Sequence, residues 1–107
     1  MIYENFLSQF TDWRPTQLYW QRFSIADSYG KNEIQKVYSE IFKEAKTDYK
    51  FLTELVMVLN HKSWEHSQYQ GNSSISKLYS DLFYETKEYA EDVLSGIELS
   101  YFLDTID

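Results

Sequence analysis

Residues 73–94 read SSISKLYSDLFYETKEYAEDVL, and this stretch decides the fold. Ile75, Leu78, Tyr79, Leu82, Phe83, Thr86, Tyr89, Ala90, Val93 and Leu94 recur at helical spacing without a break. The pattern predicts a long helix that starts after Ser73 or Ser74 and ends at Ser95-Gly96.

Working back along the chain, Gln70-Gly71-Asn72-Ser73-Ser74 reads as a turn. Before it, a second helix is expected from Thr47 or Asp48, either of which can cap it, to about Tyr69. Phe51, Leu52, Leu55, Val56 and Leu59 form its inner face, and Met57, Val58 and Trp64 widen the apolar arc. Ile34, Val37, Tyr38, Ile41, Phe42 and Ala45 mark a third helix. Ser24-Ile25-Ala26-Asp27 has capping-box spacing and predicts a short helix stopped by Gly30. Nearer the N-terminus, Ile2, Phe6, Phe10 and Trp13 share one face of a short helix. Pro15 opens a segment carrying Leu18, Tyr19, Trp20 and Phe23. Beyond Gly96 a short helix over about residues 97–104 packs back through Leu99, Phe102 and Leu103. The expected fold is therefore all-α: one domain over residues 1–107, a compact antiparallel bundle of three long helices with short terminal helices.

Composition narrows the class. Ten Tyr, seven Phe and three Trp supply large side chains to a chain of 107 residues. There is no Cys, so disulfides and thiolate metal sites are excluded. The first residues, Met1-Ile2-Tyr3-Glu4-Asn5, lack the basic and apolar regions of a signal peptide, and no apolar run is long enough to span a bilayer. A cytoplasmic setting is expected.

Charge is segregated. Residues 1–77 carry nine acids and nine bases, whereas residues 78–107 carry eight acids against Lys87 alone. The net charge of −7 thus comes from the C-terminal stretch. Such a field repels nucleic acid and anionic membrane and attracts basic protein surfaces. Asp81, Glu85, Glu88 and Asp92 sit at i, i+4, i+7 and i+11 of the long helix, within an arc of roughly 60° opposite the apolar stripe. Their spacing of roughly 5–6 Å approaches that of successive phosphates on a nucleic-acid strand. Glu91 lies to one side, and Tyr84, off both the apolar arc and the ridge, is expected to be exposed as an interface anchor. The competing reading is an ordinary solvated face.

Other constellations are weaker. Glu54, Val58, His61 and Glu65 follow one helical line, so His61 with Glu54 or Glu65 offers metal donors. Carboxylate-rich metal bundles need Glu-x-x-His pairs, which this chain lacks, so neither metal nor cofactor is expected. An enzyme would need a pocket lined by His61 and Glu54, and no nucleophile motif accompanies them; the chain is read as a non-enzyme. Tyr19, Trp20 and Phe23 beside Arg14 and Arg22 could stack single-stranded nucleic acid, but two Arg make no basic stripe. These aromatics are expected to cover one end of the bundle.

Several strings carry a resemblance. They are residues 23–27 (FSIAD), residues 48–62 (DYKFLTELVMVLNHK), Leu78-Tyr79, and the segment from Glu98-Leu99-Ser100-Tyr101-Phe102 to Asp107. Over about residues 20–107 the chain resembles a family of small uncharacterised proteins encoded by bacteriophages and mobile elements of bacteria, gut bacteria included. The stretch from Leu52 to Asn60 is the most specific part. The resemblance implies a genomic setting and transfers no activity or site. In that setting a small acidic protein is expected to bind a host protein with a basic nucleic-acid-binding surface. It would act as a nucleic-acid mimic and an anti-defence inhibitor of nuclease or CRISPR type. The alternative is a self-assembling structural or accessory phage protein, for which exposed apolar area on the N-terminal third would be the sign. Whether the chain forms a homo-oligomer stays open.

Overall fold

Two glycines with positive φ divide the chain into its packing units, because each reverses the backbone at an angle other residues avoid. They are Gly30 (φ 98°) and Gly71 (φ 60°). The computed structural model describes residues 14–71 and 73–106. It contains five α-helices and one π-helical turn, with no strand among the described residues: α1 Arg14–Asp27, α2 Lys31–Ala45, α3 Tyr49–Glu65, the π turn His66–Gln70, α4 Ser73–Val93 and α5 Gly96–Ile106. The fold is all-α.

Local chemistry sets the boundaries. After α1 the Ser28 and Tyr29 amides donate back to the Ile25 and Ala26 carbonyls at 3.2 and 2.9 Å, closing the helix before Gly30 turns the chain. Asp48 has extended backbone angles and its carboxylate accepts from the Lys50 amide at 2.8 Å, so it is the N-cap of α3.

The core lies on both sides of α3. One cluster joins Phe23 and Ala26 of α1, Ile34 and Ile41 of α2, Leu55, Val58 and Leu59 of α3, and Tyr79 and Leu82 of α4. The other joins Leu52 and Val56 of α3 to Ala90, Leu94 and Phe102. The residues from Leu52 to Leu59 are all buried, which makes α3 the most enclosed helix. A hydroxyl relay crosses the apolar region: Thr86 donates to the Leu82 carbonyl at 2.7 Å, so Tyr38 donates to Thr86 at 2.6 Å. No helix among the described residues is long and apolar enough to cross a membrane.

The structure corrects four expectations. Ser24 does not cap a separate short helix; α1 runs through it as one helix of 14 residues, almost as long as the 15 of α2. Three long helices with short ones at the ends is therefore not the observed set, since α1 is not a short terminal helix. Trp64 is 45 % exposed rather than part of the buried arc, because it lies on the side of α3 turned away from both clusters. Val93 is 53 % exposed although it continues the apolar stripe: it is the last residue of α4, and its neighbour Leu94 takes the inward position in the second cluster instead. The face assigned to Ile2, Phe6, Phe10 and Trp13, and the side chains of Arg14 and Pro15, lie outside the described residues.

Candidate functional site

The acidic face of α4 follows from helical spacing alone. Asp81, Glu85, Glu88, Glu91 and Asp92 are all exposed, and so is Tyr84, at 60 %. Among the described residues only Asp81 finds a cation, the Lys77 ammonium one turn back at 3.2 Å. Glu85, Glu88, Glu91 and Asp92 make no ion pair among the described residues. The Tyr84 ring packs edge-on against Phe83 with centroids 5.0 Å apart, which steadies an exposed aromatic among the carboxylates.

The N-terminal aromatics take their expected structural place. Tyr19 and Phe23 are buried and Trp20 is half-buried against the first core cluster. Arg22 is directed at Glu40 and Glu44 of α2, at 3.2 and 3.9 Å, and not at a nucleic-acid groove. The ring of His61 faces Glu65, Nε2 to Oε1 3.7 Å. Burial holds its pKa below the ordinary imidazole value; Glu65 opposes that shift and Lys62 adds to it.

The densest chemistry is a polar cluster that sequence reasoning missed. It joins the end of α1, the end of α3 with the π turn, and the first turns of α4. At its centre the Lys62 side chain has no exposure, and its ammonium donates to Asp27 Oδ2 at 2.7 Å, Glu65 Oε2 at 2.8 Å and Ser24 Oγ at 3.0 Å. The rings of Trp20 and Tyr79 flank the same nitrogen, with centroids at 5.5 and 5.8 Å. Asp27 is held from both oxygens. The Tyr79 hydroxyl donates to Oδ1 at 2.5 Å, and His66 Nε2 lies 2.9 Å from Oδ2. Glu65 accepts from the Trp20 indole at 3.2 Å.

The partners of two groups in this cluster fix where their hydrogens point. Burial, the hydrogen bond to Asp27 and the Asp27 charge all push the Tyr79 phenol up, so it is a donor at every ordinary pH. His66 has its Nε2 on a carboxylate, which can only accept, so Nε2 carries a hydrogen; its buried Nδ1 has no hydrogen-bond partner among the described residues. His66 also stacks on Tyr79 at 5.5 Å, and it opens the π turn, a distortion that concentrates at functional positions.

Asp27, Glu65 and His66 present one ligand atom each within 4.8 Å of one another, which is metal-like spacing. The Lys62 ammonium sits between the two carboxylates at hydrogen-bond distance, in the space an ion would need. The cluster therefore contains its own cation. A separate open concavity of about 350 Å³ is lined by Ser63, Ser67, Gly71, Ser73, Ser76, Lys77 and Ser80. Ser63 and Ser76 exchange hydroxyl-to-carbonyl bonds at 3.0 and 2.8 Å there, which ties α3 to α4.

Neither a family model, nor a curated protein, nor a solved structure matches this chain.

Proposed function

We propose that the chain is a non-enzymatic binding protein whose α4 acidic ridge covers a basic nucleic-acid-binding surface on another protein. The observation that carries this reading is the group Glu85, Glu88, Glu91 and Asp92: exposed, on one helix, and without an ion-pair partner among the described residues. Carboxylates whose role is only solubility are usually mixed with lysines. Here residues 78–107 supply Lys87 alone. Tyr84 stands beside the ridge as the aromatic contact. Short turns between α2, α3 and α4 favour an antiparallel course, which gives the ridge a rigid support. In the bacteriophage or mobile-element setting that the sequence resembles, the partner is a host defence or nucleic-acid-processing factor, CRISPR machinery included, and the compartment is the bacterial cytoplasm. Affinity purification of the tagged chain from a bacterial host, run in parallel with the Asp81→Lys, Glu85→Lys, Glu88→Lys, Asp92→Lys variant, tests it. The reading requires a nucleic-acid-binding protein that the wild type retains and the variant loses.

One observation favours the alternative of a self-assembling accessory protein. Leu18, Ile25 and Tyr29 are 56, 65 and 75 % exposed at i, i+7 and i+11 along α1 and its end. Sedimentation of the chain over a range of concentrations separates the two: a monomer supports the binding protein, and a defined oligomer broken by Ile25→Asp supports self-assembly.

A further inference from the structure

We propose that Lys62 and Asp27 condense into an intramolecular isopeptide bond that covalently ties α3 to α1. Every part that acyl substitution at a carboxyl group needs is present around Asp27. The nucleophile is Lys62 Nζ, 2.7 Å from Asp27 Oδ2. A base and proton carrier, the Glu65 carboxylate, touches the same nitrogen at 2.8 Å. An oxyanion donor, the Tyr79 hydroxyl, is bonded to Oδ1. The His66 Nε2–H group is bonded to Oδ2, the oxygen that leaves. Water is kept off the amine: Lys62, His66 and Tyr79 are 0, 2 and 0 % exposed and the Trp20 and Tyr79 rings wall the nitrogen, while the Asp27 and Glu65 side chains keep 13 and 16 % exposure, a route for the released water.

The step balances without any added reagent. Glu65 passes one proton from the Lys62 ammonium to Asp27 Oδ2, which leaves a neutral amine beside a neutral carboxylic acid. The nitrogen lone pair forms the N–Cγ bond from the face of the carboxyl group, and the C=O electrons move onto Oδ1, where Tyr79 holds them. Glu65 takes a second proton from the nitrogen and delivers it to Oδ2. Reclosure of the carbonyl on Oδ1 expels Oδ2 as water. The product is one amide and one water, with Glu65 again ionised.

Two physical terms favour the reaction. Fixing both groups at contact distance replaces a bimolecular condensation by one with an effective molarity of about 10⁵–10⁸ M. Burying an ammonium and a carboxylate is costly even when they are paired, and a neutral amide removes both charges. The product also satisfies its neighbours: the new amide N–H faces Glu65 Oε2, and the new carbonyl keeps the Tyr79 donor. Tyr79 stays protonated because burial and Asp27 push its phenol up.

Mass spectrometry of the purified full-length chain tests this. After incubation at growth temperature the wild type should be lighter than its sequence mass by one water, about 18 Da. Trypsin should then fail to cut after Lys62, and residues 23–31 should appear joined to residues 51–77. Glu65→Gln, with helicity checked, should keep the full mass or lose water at least tenfold more slowly; Lys62→Arg should keep it entirely. A wild type at full sequence mass with normal cleavage after Lys62 overturns the proposal. A water loss confined to the 23–31 peptide overturns it too, since that would be cyclisation of Asp27 on its own backbone. Water loss at an unchanged rate in Glu65→Gln would overturn the role of Glu65.

Discussion

The Lys62 ammonium lies 2.7 Å from the Asp27 carboxylate, and the lysine side chain has no exposure at all. A buried pair of this kind is weak evidence for stability in itself, but breaking it leaves a charge with neither water nor full compensation. Asp27 also anchors Tyr79 and His66, so it joins α1, α3, the π turn and α4 at one carboxylate. Asp27→Ala should therefore destabilise the domain by about 3–5 kcal/mol. Urea unfolding followed by circular dichroism measures it, and a loss under about 1 kcal/mol would mean the cluster relaxes or hydrates freely.

The phenols of Tyr19 and Tyr79 give the domain an alkaline limit. Burial raises Tyr19 from 10.0 to about 12, with Glu44 and Glu54 adding to the rise, and Tyr79 shifts in the same direction. In the unfolded chain each phenol ionises near its ordinary value, so above that pH the unfolded state holds fewer protons than the folded one. Stability should be flat in this respect below about pH 9 and fall between about 10 and 12, by about 1.4 kcal/mol per pH unit for each phenol. Tyr19→Phe should remove one such contribution from the slope. An identical slope in wild type and variant would contradict the burial of Tyr19.

His61 acts at the other end of the scale. Its folded-state pKa lies below the ordinary 6.5 because burial disfavours the charged ring. The unfolded chain therefore takes up a proton first as the pH falls. Stability contributed by keeping this ring neutral is complete above about pH 7 and declines once the pH drops below 6.5. Melting temperatures of wild type and His61→Gln at pH 7.5 and 5.5 should show a smaller acid loss in the variant. An equal or larger loss in His61→Gln would show that other groups dominate.

Core position and not apolarity alone should govern truncation. Leu55 is fully buried between α1, α2 and α4, so Leu55→Ala should cost about 2–5 kcal/mol. Val93, more than half exposed at the end of α4, should change stability by about 0.5 kcal/mol or less when cut to Ala. Comparable losses for the two would indicate that the α4 terminus packs more tightly than described.

What could be read from the sequence follows from the range of each interaction. The α2, α3 and α4 patterns are local, repeat every three or four residues, and appear where the spacing puts them. So do the Asp48 cap, the Gly96 break and the exposed carboxylates of α4, since outward-facing residues need no partner to be placed. Ser24 shows the limit. Its spacing to Asp27 looks like a cap, yet its hydroxyl serves Lys62, 38 residues away. The Lys62 cluster was illegible for the same reason: Asp27 meets Tyr79 across 52 residues and His66 across 39. Along the chain Lys62 looks like an ordinary polar residue near a helix end. Its one local sign is a lysine three residues before Glu65 on the most enclosed helix, and that sign is shared by countless surface pairs.

The binding of an independently identified basic partner to the α4 ridge, measured at two salt concentrations, tests the central claim most directly. Rim carboxylates steer encounter, so wild-type affinity should fall at higher salt chiefly through a slower on-rate, while Tyr84→Ala should speed dissociation. The Asp81→Lys, Glu85→Lys, Glu88→Lys, Asp92→Lys variant should keep its helicity, because all four residues face water, and should lose binding altogether. Unchanged affinity in that variant would contradict the account and return the ridge to a solvated surface.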